Sequence, residues 1–316
     1  MSVQKVNRKV AQTHRLRLYK AGSIVFAKSG MSCMKGHVYT LRNDCYAVSH
    51  LAILTPRDID SSYLNYVLRY FKPNTLVKNE AYPSIALGDI ADFLIPVAPR
   101  STQMQIVSLL DKISGVIESK KEQLKELDNL TQAIFYDIFG DPATNEKGWN
   151  QRNFEQCIEK VKYTKKIQTT DFLIQGVYPV VSQEERFISG YWNDSTDVFK
   201  VGNKPVVVFG DHTREIKYVD FDFVLGADGV RIFLPKDSIN PRYLQWFLKT
   251  YRVPSLGYSR HYKLVKEIDV AIPPLNIQQV FAEKVEAIER QKDLINQSIS
   301  EAQTLFDSQM EYYFGE

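Results

Sequence analysis

Two stretches of the chain carry apolar residues on an alternating spacing of four and three. In the first, Ile106, Leu110, Ile113, Ile117, Leu124, Leu127, Ile134 and Ile138 fall on this spacing, with Lys120 and Thr131 as its polar members. In the second, Phe281, Val285, Ile288, Ile295, Ile299, Ala302, Phe306 and Tyr313 repeat it, interrupted by Lys292 and Gln309. A narrow seam of this kind predicts a long helix whose natural partner is another such seam. Each helix, roughly 35 residues at 1.5 Å rise, would be about 50 Å long. Ser101 and Thr102 stand as caps for the first and Asn276 for the second, while Gly140 before Asp141-Pro142 ends the first. The polar seam positions either fix register and pairing or sit at a frayed edge.

The segments ahead of the helices have a different texture. From Trp149 to Ile272, β-branched and aromatic runs such as Tyr178–Ser182, Lys204–Gly210 and Phe221–Gly226 are separated by Gly, Asn and Asp turns, with one short helix expected over Pro241–Thr250. Three strings recur in one order. Ile95–Ile113 resembles Ile272–Ile288, Phe139–Asp141 returns as Phe314–Glu316, and Pro56, Asp58, Tyr63, Leu64 and Leu68 recur as Pro235, Asp237, Tyr243, Leu244 and Leu248. An internal repeat of this kind means two related modules. Val201–Gly210 pairs with Ala21–Gly30, so the first module has no counterpart to Trp149–Lys200. Either the basic N-terminal arm replaces that stretch or the first module is incomplete. The expected architecture is α+β, two related modules joined by two long antiparallel coiled-coil helices. Its parts are a first module over 1–100, a central helix over 101–141, a second module over 142–275 and a C-terminal helix over 276–316.

Composition narrows the class without naming a function. With 44% hydrophobic and 24% charged residues, the 316-residue chain reads as globular. No apolar run approaches the roughly 20 residues of a membrane span, and the basic N-terminus has no apolar core of the secretory type, so a cytoplasmic protein without membrane contact is expected. Cys33, Cys45 and Cys157 are isolated from one another and from any His at ligand spacing, so free thiols are expected rather than a zinc site or disulfides. A net charge of +3 is compatible with a polyanionic partner but too mild to establish one.

Catalytic patterns are scarce. No amino-methyltransferase string and no phosphate-cradling glycine loop occurs. Asp211, Glu215 and Lys217 offer a short acidic cluster that a Mg²⁺-dependent nuclease could use, although such clusters are usually solvated hairpins. His212 and His261 stand beside arginines in loops, where DNA contact is the more natural role. The second module's candidates for DNA contact are Lys162, Lys165, Lys166, Arg186, His212, Arg214, Arg231 and the run Tyr258, Ser259, Arg260, His261, Tyr262 and Lys263, which interleaves donors with aromatics. Those of the first module are Lys28, Ser29, Lys35, His37 and Lys78. Solvated surface loops would look the same.

The paired modules, the I-P-P-L-x-x-Q-like strings at Ile272–Gln279 and Ile95–Gln105, the helices ending in F-G-D/E, and the opening Trp149 to Phe154 together resemble the specificity subunits of type I restriction-modification systems. The resemblance covers about residues 20–316. It implies that each module reads one half of a bipartite DNA site, that the helices set the spacing, and that the chain itself is non-catalytic and holds no cofactor. It also implies two modification subunits that carry S-adenosylmethionine, and restriction subunits that join them. A coiled-coil scaffold that spaces two protein-binding modules without reading DNA is the competing reading.

Overall fold

A computed structural model describes residues 6, 8–14, 16–226, 229–257 and 259–315. The chain forms two compact units, Met1–Glu122 with Asn296–Glu316, and Gln123–Ile295.

Unit 1 contains α1 (Arg8–Thr13), β1 (Leu18–Tyr19), β2 (Ile24–Ala27), β3 (Val38–Thr40), β4 (Cys45–Tyr46), β5 (Leu51–Leu54), α2 (Ser61–Phe71), α3 (Leu87–Ala91) and the first part of α4 (Arg100–Phe139). An antiparallel sheet in the order β3-β2-β5 is accompanied by the short pair β1-β4. Ile24 and Phe26, two residues apart and so on one sheet face, are buried with Leu64 and Leu68 of α2.

Unit 2 begins with the last turns of α4 and continues through β6 (Gln151–Asn153), α5 (Phe154–Cys157), β7 (Ile158–Glu159), β8 (Lys166–Ile167), β9 (Tyr178–Val181), β10 (Gly190–Trp192), β11 (Val198–Phe199), β12 (Val206–Gly210), β13 (Ile216–Val219), β14 (Phe223–Gly226) and β15 (Val230–Pro235). Helices α6 (Pro241–Tyr251) and α7 (Tyr262–Val265), strand β16 (Asp269–Ala271) and the long α8 (Leu275–Phe314) follow. The strands form a β13-β12-β15-β7 sheet, a five-stranded sheet in the order β10-β9-β14-β11 with β8 beside β14, and the pair β16-β6. The strand-like runs and the short helix read from the sequence thus appear as β9, β12, β14 and α6.

Both units are built on one kernel. Strands β2, β3 and β5 correspond to β12, β13 and β15, and β1-β4 to β11-β14. Even an exposed ion pair recurs: Asp44 bonds Lys20 and the Ala21 amide, as Asp222 bonds Lys200 and the Val201 amide. The short helix of each kernel starts at a side-chain cap. Asp60 accepts from the Ser62 and Tyr63 amides, and Asn240 from the Arg242 and Tyr243 amides. A buried glutamine then clamps each cap residue to a long helix. Gln103 accepts from the Asp60 amide (2.8 Å) and donates to the Ala98 carbonyl (2.7 Å). Gln278 accepts from the Asn240 amide (2.8 Å) and donates to the Pro273 (2.7 Å) and Ser238 (3.1 Å) carbonyls.

These bonds correct the register of the repeat. Tyr63 donates to the Pro96 carbonyl as Tyr243 donates to that of Ala271, so Val97, not Ile95, is the counterpart of Ile272. The I-P dipeptides that look alike in the sequence lie two residues apart in structure. The cap expectations also change. The Gln103 amide donates to Pro99 and the Gln278 amide to Pro274, so Ser101, Thr102 and Asn276 sit inside the first turn, preceded by main-chain carbonyls already in the helical ladder.

Within each unit the long helices run antiparallel. In unit 2, Phe139 and Phe135 of α4 meet Phe281 of α8, and Asp128 lies 2.9 Å from Lys292. In unit 1, Ile106, Leu110, Ile113 and Ile117 are buried with Phe306, Met310 and Phe314. Phe281, Val285 and Ile288 are buried in the same way, whereas Leu124, Leu127, Ile295 and Ile299 are half-buried. The buried stripe departs from the expected seam near each C-terminus. Thr131, Phe135 and Phe139 are covered more fully than Ile134 and Ile138, and Phe306, Met310 and Phe314 more fully than Gln309 and Tyr313. A straight helix drifts from a strict 3.5-residue seam, and these ends pack on a globular kernel as well as on a partner helix. Phe314 meets Tyr63 (ring centroids 5.6 Å apart), and Phe139 meets Tyr243 (4.7 Å). Each F-G motif therefore closes on the tyrosine of the kernel it does not follow in sequence. Lys292 is half-buried; burial opposes its charge, yet the Asp128 and Glu289 carboxylates hold its pKa above the usual lysine value.

Among the described residues, unit 1 has no strands matching β6 to β10.

Candidate nucleic-acid interface

Three loops of unit 2 are tied to one another by hydrogen bonds to a single turn. That turn, Asp211–Glu215, follows β12. The Asp211 amide donates to the Gly229 carbonyl (2.7 Å), the His212 amide to Gln183 Oε1 (3.2 Å), and the Thr213 hydroxyl to the Gln183 carbonyl. Arg214, held in the left-handed region at φ 66°, donates from its guanidinium to the Val253 carbonyl (3.1 Å). A side chain on Gly229 (φ 98°) would press on Gln183 at 2.5 Å, so that close approach requires glycine.

Asp211 is the hub. Its carboxylate, 1% exposed, accepts from the Tyr262 amide (2.7 Å) and from the Arg231 guanidinium (3.3 Å). Its carbonyl accepts from the His261 amide (2.8 Å) and from His261 Nδ1 (2.9 Å), and His261 Nε2 accepts from the Leu256 amide (2.9 Å). His261 is 1% exposed with both ring nitrogens used, so it is not a DNA contact but a strut of the 254–262 loop. Arg231 lies over the Tyr262 ring at 5.0 Å and edges a groove of about 440 Å³ that Tyr163 and Lys160 also line. The nuclease reading fails on the same bonds. Asp211 is already ion-paired, and buried Lys217 donates to the Ser182 (3.0 Å), Arg186 (2.6 Å) and Phe187 (3.5 Å) carbonyls, anchoring the 183–189 loop. Burial lowers the Lys217 pKa. Among the described residues, no group of three or more His, Cys, Asp or Glu side chains is placed to hold a metal ion.

Other sequence candidates distribute as follows. Arg186, Arg214, Arg260 and Lys263 are exposed on the tied loops or next to them, and Ser259 is half-buried there. Tyr258 lies outside the described residues. Lys162 is exposed, Lys165 pairs with Asp197 at 4.0 Å, and half-buried Lys166 lies over the Tyr163 ring at 5.6 Å. In unit 1, the Ser29 hydroxyl bonds His50 Nδ1 (2.8 Å), and Lys28 is half-buried, with its main chain pairing to His50 and Ile85. Lys35 and His37 line a groove of about 550 Å³ with Tyr39, Arg69 and Lys72. Lys78 forms an exposed ion pair with Asp89 (2.7 Å). The sequence reading passed over Tyr82, which is 82% exposed. Its signal lay in the repeat, where Ala81-Tyr82-Pro83-Ser84-Ile85 aligns with Gly257-Tyr258-Ser259-Arg260-His261. The Ile85 amide donates to the Lys28 carbonyl, the equivalent of the His261–Asp211 bond.

A model of the type I restriction modification DNA specificity domain matches residues 3–129 and 146–304. The EcoR124I/EcoR124II specificity subunit of Escherichia coli is 28% identical over 96 residues, 28% of this chain and 24% of that one. The MjaIX specificity subunit of Methanocaldococcus jannaschii is 27% identical over 151 residues, 45% of this chain and 34% of that one. The chain thus aligns with about a third or less of each of these relatives. In fold it is similar to the S subunit of a type I restriction-modification system from M. genitalium (TM-score 0.54, 15% identity, 95% of this chain and 84% of that one). It is likewise similar to a chain from a structural study of type I complex assembly and conformational transition (TM-score 0.55, 14% identity, 93% of this chain and 82% of that one). No described helix is long and apolar enough to cross a membrane. The match to two copies of the domain, over most of the sequence, makes this chain a member of the type I restriction modification DNA specificity domain family.

Proposed function

We propose that the chain is the sequence-reading, non-catalytic subunit of a type I restriction-modification complex, with unit 2 reading one half of a bipartite DNA target. The observation that carries this reading is the turn at Asp211–Glu215. It fastens three loops together and leaves Arg186, Arg214, Arg260 and Lys263 in solvent around it. Base readout needs donors held on a rigid frame, while exposed cations on phosphates supply affinity and register. Unit 1 would read the second half through Ser29, Lys35, His37 and Tyr82. The long helices would set the half-site spacing, with their outward faces docking two modification subunits. S-adenosylmethionine and the methyl transfer to adenine would belong to those subunits, and restriction subunits would join them.

The test is mapping of methylated adenines in cells that express this chain with a modification subunit, against cells lacking the chain. A new motif with two separated half-sites is the expected result. An assembled complex that creates no motif would point instead to a scaffold or to a decayed reader.

A further inference from the structure

One cation at the Asp211 hub is held in place without being used up. Arg231 is the second residue of β15. Its Nε and Nη2 both donate to one oxygen of the buried Asp211 carboxylate, at 3.3 Å each, and its guanidinium lies 5.0 Å from the centre of the Tyr262 ring. The other Asp211 oxygen accepts from the Tyr262 amide, so the carboxylate and the ring that flank the guanidinium are fixed to each other. A guanidinium carries five N–H donors in a planar fork. Asp211 takes those of the Nε–Nη2 edge, which leaves the Nη1–Nη2 edge to a ligand. Among the described residues no acceptor is paired with Nη1, and the side chain is 32% exposed.

The groove that Arg231 lines with Lys160, Tyr163 and Tyr262 is rich in such donors. The Tyr163 hydroxyl accepts from the Ile232 amide (3.0 Å), which fixes the phenol and leaves its proton to donate. Lys160 is exposed. Two carboxylates also line the groove, and each already has a cation: Glu155 lies 3.0 Å from Lys266, and Glu159 lies 3.5 Å from Lys204. Their charge opposes a phosphate in the groove but not an uncharged base edge. Among the described residues, the groups left to a ligand are therefore donors. In the major groove guanine alone presents two acceptors, N7 and O6, side by side. Adenine shows one acceptor beside a donor, thymine one acceptor beside a methyl group, and cytosine a donor.

We propose that Arg231 is a specificity-determining residue that reads a guanine in the half-site of unit 2, and that Asp211 is the positioning residue that holds its fork. This inference rests on unit 2 reading DNA. The ion pair and the ring restrict a side chain that would otherwise lose much rotamer freedom on binding, so the fork is pre-organised. Arg186, Arg260 and Lys263 differ in this respect. They are exposed and, among the described residues, held by no ion pair, which suits contacts to phosphate rather than to one base.

The probes are duplexes carrying the mapped motif with 7-deazaguanine in place of each guanine in turn, titrated with the complex of this chain and its modification subunits. The analogue lacks the N7 acceptor and still pairs with cytosine. One substitution, in one half-site, should weaken binding at least about fivefold. In a complex carrying Arg231→Gln the same substitution should have no further effect, and its methylation motif should accept other bases at that position alone. Asp211→Asn keeps an acceptor for the Tyr262 amide but loses the charge on Arg231, and it should relax the same position and no other. The proposal is overturned if no guanine is sensitive, if the sensitivity survives in Arg231→Gln, or if that variant methylates every site less with its motif unchanged, as loss of a phosphate contact would. Should Arg231→Gln fail to fold because Asp211 is left without its cation, Arg231→Gln combined with Asp211→Asn removes both charges and carries the same expectations. A wild-type complex that creates no motif removes the DNA reading and this inference with it, whereas a motif indifferent to Arg231 removes this inference alone.

Discussion

Replacing Gln278 with alanine removes three hydrogen bonds at a fully buried position. The Asn240 amide loses its acceptor just where it begins α6, and the Pro273 and Ser238 carbonyls lose a donor. Each lost bond to a buried neutral group costs about 1 kcal/mol, so the variant should lose about 3 kcal/mol. In a unit of this size that corresponds to a melting temperature lower by about 6–12 °C. The matching Gln103→Ala loses two bonds and should cost about 2 kcal/mol. All three tryptophans, Trp149, Trp192 and Trp246, belong to unit 2, so tryptophan fluorescence during urea or thermal unfolding reads the Gln278 variant directly. A loss below about 0.5 kcal/mol, the ordinary range for surface changes, would refute the clamp. So would a larger loss for Gln103→Ala than for Gln278→Ala.

Other expectations concern single side chains. Arg260→Ala should weaken cognate DNA binding by about 1–3 kcal/mol with the melting temperature unchanged, measured by anisotropy on the assembled complex. His261→Ala, by contrast, should speed amide exchange across residues 254–262 and lower stability, because two of the loop's bonds run through its ring; an unaltered exchange pattern would remove it as a strut. The raised pKa of Lys292 implies a contribution that is full below the ordinary lysine value of 10.5 and is lost as pH climbs through the folded value. Lys292→Met should therefore flatten the alkaline fall in stability, and an identical slope for both proteins would contradict the Asp128 pairing. Burial pushes the Cys157 thiol up to about 11, and Cys33 is raised as well. A thiol reagent at pH 8 should accordingly find Cys45 first and reach the other two only on unfolding.

The helices were the most legible part of the sequence because a seam repeats a local rule many times. It failed where α4 and α8 meet a kernel as well as each other, and Phe135, Phe139, Met310 and Phe314 took the buried places. Strand β12 was equally plain, since Val206–Gly210 is buried throughout and reads as a continuous apolar run. The loops were not. Arg231, His261 and Lys217 have the composition of ligand-binding residues, yet each is engaged by a partner about 20 to 50 residues away in the chain. No local pattern separates a cation that faces solvent from one that braces a loop. The repeat held more than its similar strings suggested. Its later strings already lie on one shift of 175 residues, Ile113 with Ile288 and Phe139 with Phe314; the bonds of Tyr63, Gln103 and their counterparts extend that shift back past the look-alike I-P dipeptides.

The way the F-G ends close the kernels has a consequence for synthesis. Unit 2 is one unbroken stretch, so every residue of its core is available once α8 has begun to emerge. Unit 1 takes Phe306, Met310 and Phe314 from the far end of the chain, and Tyr70 bonds Glu311 across 241 positions. Its Tyr63 and the Ile106–Ile117 stripe of α4 must wait for residues 306–314 to be made. A kernel whose last wall arrives so late spends most of translation with apolar surface uncovered, and unit 1 is the half on which a chaperone has time to act.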